Sequence, residues 1–292
     1  MNRSHRGTIF QEQGEVLDHQ AWPGNQHILR LHAPKCAETA KPGSFVHIQC
    51  DPLLPMRRPL SIMRTSAREG WIDLLYKVEG NGTRNLSTRQ KGEKLSLLGP
   101  IGTPFQEHMN RPKPLLIGGG VGIPPMIFLA DSLRSIVGAY QPLVLMGSEI
   151  PFPFKPKPSE IIVPGMPEGI IASMPLLDDW NIPGRLASQQ GFAGCYEGYV
   201  TDLARYWLES LDESSLKEVE VFSCGPHPML EAVAKLASEF NLPCQVSLEE
   251  FMACAVGGCA GCVVEVQTDQ GPAMKRVCVD GPVFDATSIF AT

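Results

Sequence analysis

Four cysteines near the end of this 292-residue chain restrict what it can fold into more than any other feature. Cys254, Cys259, Cys262 and Cys278 are spaced C-x4-C-x2-C-x15-C, with Gly257, Gly258 and Gly261 inside the loop. An iron-sulfur cluster needs thiolates converging on a compact inorganic core. The plant-type arrangement takes three from one loop of this spacing and the fourth from a later strand. Glycines let such a loop wrap closely and turn backbone N–H groups toward anionic sulfur. Two other readings stay open on spacing alone. One is a zinc site, although zinc ribbons repeat short C-x2-C pairs. The other is four unrelated buried thiols, which their clustering among glycines disfavours.

The remaining cysteines carry no such pattern. Cys36, Cys50, Cys195 and Cys244 read as small buried hydrophobes, and the odd total of nine disfavours a disulfide framework. No apolar run follows the basic residues of MNRSHRGTIFQEQGEV, so no secretory signal is expected and the chain is expected to be cytoplasmic. The longest uncharged apolar stretch, Pro114 to Ala130, is broken by Gly118, Gly119, Gly120, Gly122, Pro124 and Pro125, which build loops rather than a membrane span. With 25 Lys and Arg against 31 Asp and Glu, the net charge of -6 has the wrong sign for a nucleic-acid surface. Hydrophobic residues at 43% supply real cores, while 28 Gly and 26 Pro favour turns over long helices.

Six short β-type runs punctuated by Gly and Pro occupy residues 1–110: RGTIFQEQGEV, HILRLHA, SFVHIQC, LSIMRT, WIDLLYKVEG and EKLSLLGP. They predict an antiparallel barrel. After Arg111-Pro112-Lys113-Pro114, strand and helix patterns alternate through residues 111–245: an apolar strand at Leu115–Ile117, a helix from Pro124 to Ile136, strands at Pro142–Gly147 and Val219–Ser223, and a helix from Pro228 to Phe240. That alternation predicts an open parallel sheet. Between Pro151 and Pro175 seven prolines in 25 residues forbid a regular helix, and the segment reads as an irregular, solvated surface excursion. Residues 246–292 form a small Cys-rich appendage in which VVEVQT and KRVCVDG are the expected strands of a hairpin.

Two further constellations bear on ligands. Ile117-Gly118-Gly119-Gly120-Val121-Gly122 joins a strand to a helix, where missing side chains admit a pyrophosphate and the helix N-terminus favours its charge. A tight β–α turn without a ligand is the plain alternative, since the turn is neither G-x-G-x-x-G nor a P-loop. Arg57-Arg58-Pro59-Leu60-Ser61 offers a guanidinium fork and a hydroxyl to a diphosphate, although an Arg pair beside Pro also suits a solvated strand edge. Leu75-Tyr76-Lys77 then leads into the polar loop Glu79-Gly80-Asn81-Gly82-Thr83.

Taken in order along nearly the whole chain, these pieces resemble the ferredoxin-reductase superfamily, in particular the electron-transfer subunits of class 1B dihydroorotate dehydrogenases. The resemblance assigns Arg58, Pro59, Leu60, Ser61, Leu75, Tyr76, Lys77, Gly82 and Thr83 to FAD. It assigns Gly118, Gly119, Gly120 and Gly122 to the pyridine nucleotide, with Cys224, Gly225 and Pro226 near the nicotinamide. Glu249 to Cys254 and Arg276 to Phe284 are similar to the family's cluster-binding tail, with Cys254, Cys259, Cys262 and Cys278 as ligands to a 2Fe-2S cluster. The expected fold is therefore a FAD-binding barrel, a parallel-sheet NAD-binding domain and a cluster domain. Leu60 departs from the Tyr often found there in the superfamily, which removes aromatic stacking on the flavin from this position.

What the resemblance implies is a relay between NAD(H), FAD, the cluster and an FMN-containing dihydroorotate dehydrogenase catalytic subunit, assembled as a heterotetramer. The cofactors carry the chemistry, so no catalytic acid or base is assigned in this chain. A related NAD(P)H:ferredoxin-type oxidoreductase subunit is the alternative, and a zinc-holding binding protein the reading from a different class. Ser148-Glu149, an acidic position after the strand ending at Gly147, leans toward NADH over NADPH.

Overall fold

A computed structural model describes residues 8–290. The chain divides into two compact units, one running to Phe105 and including Leu248–Val283, the other spanning Gln106–Ser247 and the residues from Phe284 onward. The cysteine-rich segment thus shares a unit with the barrel, where the sequence reading treats residues 246–292 as a separate domain.

The first unit is built on a closed antiparallel barrel of β1 (Phe10–Trp22), β2 (Gln26–His32), β3 (Phe45–Ile48), β4 (Arg58–Ser66), β5 (Trp71–Lys77) and β6 (Lys94–Ile101), in the order β1-β2-β5-β4-β3-β6. These are the six expected runs; Arg6 and Gly7 of the first lie outside the described residues. Buried Val16, Leu29, Leu31, Val46, Ile48, Ile62, Leu74 and Leu97 supply the core. Helix α1 (Pro34–Thr39) packs on this barrel, with Pro34 at its first position, where no N–H is needed. The Glu12 carboxylate accepts from the Lys35 and Cys36 N–H groups at 3.0 and 2.8 Å, meeting two donors that a helix start leaves open. Between β2 and β5 Arg30 faces Asp73 in register and donates to both carboxylate oxygens at 2.7 and 2.8 Å, while its guanidinium lies 3.9 Å from the centre of the Trp71 ring. A second short helix, α2 (Asn81–Ser87), links β5 to β6.

In the second unit β7 (Lys113–Gly119) runs into α3 (Ile123–Arg134), followed by β8 (Leu143–Gly147), the two-residue strands β9 (Lys157–Pro158) and β10 (Ala172–Ser173), α4 (Pro175–Asp179), β11 (Gly184–Ala187), α5 (Val200–Glu209), α6 (Glu213–Leu216), β12 (Val219–Cys224), α7 (His227–Glu239) and β13 (Cys244–Ser247). The sheet order is β11-β8-β7-β12-β13, and β16 (Val283–Asp285) closes its edge. Parallel pairing buries β7 and β12 on both faces, which is why Leu115–Ile117 of β7 reads as an unbroken apolar run, while β12 carries Glu220 and Ser223 buried among its apolar residues. Helix α5 escaped the sequence pattern although its Val200, Leu203, Ala204, Trp207 and Leu208 face inward at helical spacing.

Two expectations need correction. The Pro-rich excursion is not simply solvated: Phe152, Phe154 and Val163 are buried, the two phenyl rings stack 5.3 Å apart, and the buried Arg185 guanidinium donates to the Ile161 carbonyl at 2.7 Å. Proline removes ladder donors, so main-chain pairing here shrinks to the short β9–β10 ladder and the Ser159 N–H bond to the Ile171 carbonyl at 2.8 Å, and these side chains add to it. The terminal hairpin pairs β14 (Val263–Thr268) with β15 (Gly271–Arg276), so its second strand ends before Val277-Cys278. The turn at Asp269-Gln270 sets this register, and Cys278 falls in the bend beyond it.

Asp73 is almost fully buried while Arg30 is about one-third exposed. Asp73→Ala is expected to lower stability by about 2–3 kcal/mol, toward the low end for a broken buried pair because Arg30 regains water. Urea denaturation of the first unit's transition measures it.

Candidate functional site

The cysteine loop follows β13 and precedes β14. Ala255, Gly257 and Ala260 adopt left-handed backbone with φ of 55, 79 and 54°. For alanine this conformation costs about 1–2 kcal/mol, and alternating hands turn consecutive N–H groups to one side. The sulfurs receive them: Gly258 N–H donates to Cys254 Sγ at 3.3 Å and Gly261 N–H to Cys259 Sγ at 3.4 Å. Glycine is needed at 257, because a Cβ there would stand 2.6 Å from Val279 Cγ2. Arg276 braces the loop by donating to the Gly257 carbonyl at 3.1 Å, and the Asp280 carboxylate accepts from the Arg276 N–H at 2.8 Å.

The thiols stand as two neighbouring pairs, Cys254 with Cys259 and Cys262 with Cys278. Although burial opposes ionisation of Cys254, N–H groups of Val256, Cys259 and Gly258 hold its thiol down to about 7. Burial, with the adjoining Cys262 thiol, pushes Cys278 up to about 12. A metal would deprotonate both. Four cysteine thiols are the ligand count of a 2Fe-2S cluster. The donor set and its amides fit a cluster; a lone zinc needs four ligands at one point.

On the barrel, the two arginines of the Arg57-Arg58 pair do different work. Arg57 is structural: it donates to the Ser96 carbonyl at 2.7 Å, to Ser96 Oγ at 2.8 Å and to the His47 carbonyl at 3.3 Å. Arg58 donates only to the Met56 and Arg57 carbonyls, at 3.1 and 3.0 Å, among the described residues. Its guanidinium lies over Gly82, where a Cβ would come within 2.9 Å of Nε. Gly82 therefore makes room for Arg58, which brings two distant motifs together. Pro59, Leu60 and Ser61 are half-buried beside it.

Other assigned residues turn inward. Leu75 and Tyr76 are buried, and the Tyr76 hydroxyl meets His19 Nε2 at 2.9 Å while its ring stacks on His27. Any contact they give a ligand comes from the main chain. Thr83 spends its hydroxyl on its own turn, accepting from the Glu79 N–H at 3.0 Å. Lys77 pairs with Glu79 at 3.3 Å.

In the second unit the four glycines of the β7–α3 turn have separate reasons. A Cβ on Gly122 would collide with the Cys224 carbonyl group, and one on Gly119 with Met229 Sδ. Gly118 faces Ile123 Cα at 3.0 Å. Only Gly120 looks onto open space, and its φ of 54° asks for glycine on conformational grounds. Close approach here is thus first of all between two β–α turns, Gly118–Gly122 and Cys224–Pro226, and a ligand would be met by main-chain N–H groups at Gly120. Ser223 Oγ donates to the Ile117 carbonyl at 3.0 Å and ties the same strand ends.

One residue the sequence reading passed over is His47, fully buried in β3 with both ring nitrogens unpartnered. Burial lowers it to about 4, so it is neutral at working pH. The alternation of SFVHIQC, with a polar residue in a buried strand, is the signal that points to it.

An antiparallel barrel with an arginine motif, a parallel nucleotide-type sheet and a cysteine loop together define a ferredoxin-reductase-type oxidoreductase equipped for one-electron transfer. Residues 249–290 match the profile of the iron-sulfur cluster binding domain of dihydroorotate dehydrogenase B. The chain is 34% identical over 249 residues to the "Dihydroorotate dehydrogenase B (NAD(+)), electron transfer subunit" of Caldanaerobacter subterraneus, covering 85% of this chain and 86% of the relative. The protein of that description from Bacillus caldolyticus is 34% identical over 289 residues, covering 96% and 99%. Among solved structures, an NADH-dependent reduced ferredoxin-NADP oxidoreductase studied for flavin-based electron bifurcation superposes with a TM-score of 0.76 at 25% identity, covering 95% of this chain and 90% of that one. The chain belongs to the family of dihydroorotate dehydrogenase B (NAD(+)) electron transfer subunits.

Gly122→Ala is expected to destabilise the second unit by about 1–3 kcal/mol through overpacking on Cys224. Gly120→Ala should cost about 1 kcal/mol from its backbone alone. Thermal unfolding of the two variants side by side checks the order.

Proposed function

We propose that this chain passes electrons between NAD and a catalytic flavoprotein partner in the oxidation of dihydroorotate, a step of pyrimidine biosynthesis. The observation that carries the reading is the pair of thiol pairs cradled by loop amides, in a chain of this family. Bound FAD would convert hydride chemistry into single-electron transfer and a bound 2Fe-2S cluster would relay single electrons.

The chain's own residues then hold and shield. Cys254, Cys259, Cys262 and Cys278 are the ligands, and Gly258 and Gly261 N–H groups offset the charge on their sulfurs. Arg58 turns its fork to the FAD diphosphate by giving up two main-chain carbonyls, a cheap exchange for a charge-assisted pair. Gly120 presents main-chain N–H to the NAD pyrophosphate. Beside it, Gly147 of β8 stands in register with Gly119, and Ser148 bends the chain by donating to the Ile150 carbonyl at 2.7 Å, which leaves Glu149 exposed where an acidic residue reads the adenosine ribose of NAD.

The partner in this reading is the FMN-containing catalytic subunit, in a heterotetramer, and the compartment is the cytoplasm. Among the described residues no helix is long and apolar enough to cross a membrane. A second reading, exchange of electrons between pyridine nucleotides and a ferredoxin, is favoured by the 95% coverage of the ferredoxin-NADP oxidoreductase structure. Turnover with dihydroorotate in the presence of the copurifying flavoprotein, against turnover with ferredoxin, decides between them.

Cys259→Ser is expected to abolish the paramagnetic signal of the reduced cluster while NADH still bleaches the flavin. Arg58→Ala should leave FAD retention weakened on gel filtration, by about 1.5–3 kcal/mol. Glu149→Arg should move the NADPH-to-NADH ratio of kcat/KM upward by on the order of tenfold or more; an unchanged ratio would show that Glu149 does not face the ribose.

A further inference from the structure

His19 of β1 has no assigned part in the flavin site, yet its ring joins three strands of the barrel. His27 of β2 is in register with Tyr76 of β5 and with Ala21, two residues beyond His19, so the three rings share one face. The Tyr76 ring is 1% exposed and stacks on His27 with centroids 5.3 Å apart, while its hydroxyl is 2.9 Å from His19 Nε2. His19 Nδ1 is 2.9 Å from the Arg89 carbonyl. A carbonyl only accepts, so Nδ1 carries the hydrogen, and in the neutral ring Nε2 accepts from the Tyr76 hydroxyl. Phenylalanine at 76 would fill the same space without needing a partner. A buried hydroxyl spent on a ring that is itself committed elsewhere asks for a reason.

The stretch of chain between the two partners supplies one. Tyr76 is the next-to-last residue of β5, and Arg89 follows α2, its N–H donating to the Leu86 carbonyl at 3.1 Å. The excursion from Lys77 to Thr88 therefore has both of its ends hydrogen-bonded to one imidazole. It carries Lys77, Gly82 and Thr83, and Gly82 is the residue that lies under the Arg58 guanidinium. The Arg89 side chain extends the same hold, donating at 2.6 Å to Asp51 in the connection between β3 and β4 that leads to Arg58. All of these residues belong to one compact unit.

We propose, on the reading that Arg58 and Gly82 hold the FAD diphosphate, that His19 is a positioning residue for that site. Its ring clamps the base of the α2 excursion at Tyr76 and Arg89 and so keeps Gly82 beneath Arg58. Helix α2 has seven residues, too few to hold its shape without outside contacts. Where its base is fixed therefore decides where Gly82 lies. An imidazole suits the place, since its neutral form sets one donor and one acceptor on a rigid ring.

The test uses the full chain purified with bound FAD, as wild type, Tyr76→Phe, His19→Phe combined with Tyr76→Phe, Arg58→Ala, and all three substitutions together. Release of FAD, followed by the fluorescence it regains in solution, and thermal unfolding are measured on each. The His19 and Tyr76 pair of substitutions removes both hydrogen bonds and leaves no buried hydroxyl unmet, so its unfolding temperature is expected to stay near that of wild type. FAD should leave it about tenfold faster. Because the clamp acts through Gly82 and Arg58, adding the pair to Arg58→Ala should speed release by less than about threefold beyond Arg58→Ala alone, whereas independent effects multiply. Release at the wild-type rate from the pair overturns the proposal, and so does a full tenfold increase with and without Arg58. An increase that only follows a lowered unfolding temperature overturns it too. Should the pair fail to fold, Tyr76→Phe decides, since it keeps the ring stack on His27 and opens one end of the clamp. Release about threefold faster than wild type then supports the proposal, and wild-type release overturns it. If Arg58→Ala holds FAD as wild type does, the diphosphate reading falls and the clamp with it; a failure of the clamp alone leaves the faster release from Arg58→Ala in place.

Discussion

Thiolates repel one another, and four of them can share a small volume only if positive charge or oriented N–H groups meet each sulfur. That constraint organises the C-terminal part of the chain. Alanine at 255 and 260 accepts left-handed backbone so that the amides of Gly258 and Gly261 reach Cys254 and Cys259. The other two cysteines stand on firmer ground, because Cys262 immediately precedes β14 and its carbonyl accepts from the Val277 N–H at 2.9 Å, next to Cys278. The loop is in turn fastened to the barrel unit through main-chain bonds from Thr103 to the Gly281 carbonyl and from Leu248 to the Pro282 carbonyl. An electron carrier gains from such fastening, since transfer falls away steeply when redox centres shift.

The nucleotide-type unit solves a different problem by contact rather than charge. Two β–α turns come so close that glycine at 122 is a steric requirement against the Cys224 main chain, while glycine at 119 and 225 leaves room for the end of the Met229 side chain. Only after that packing is satisfied does Gly120 remain open for a ligand. Glycine-rich turns are commonly read as ligand loops, and here most of the glycines answer to the neighbouring turn.

Much of the architecture was legible because it follows from periodicity. Alternating runs marked all six barrel strands, and unbroken apolar runs marked β7 and β8, since a strand buried on both faces has little polar side to show. Short or isolated elements were not: β11 and β13 span four residues each, too few for a period to register, and α5 falls in a stretch after Pro175 to which the sequence reading assigns no element before Val219. Of the candidate site, the cysteine cluster and the Arg57-Arg58 pair stood out in the sequence by spacing and charge. Tyr76 and Thr83 could not be sorted in that way, because a hydroxyl that serves a ligand and one that serves His19 or its own turn look the same in a sequence.

By itself the sequence determined the number and kind of strands in the barrel, the alternation that makes a parallel sheet, and the thiol spacing that suits two irons. Each is a local property, carried by residues a few positions apart. Only the tertiary structure decided that the cysteine segment joins the barrel unit, that Gly82 and Arg58 share one place, that Arg57 is a brace, and that His47 is sealed in without a hydrogen-bond partner. Those facts depend on residues 20 to 200 positions apart meeting in space, and no pattern along the chain records which of two adjacent arginines turns inward.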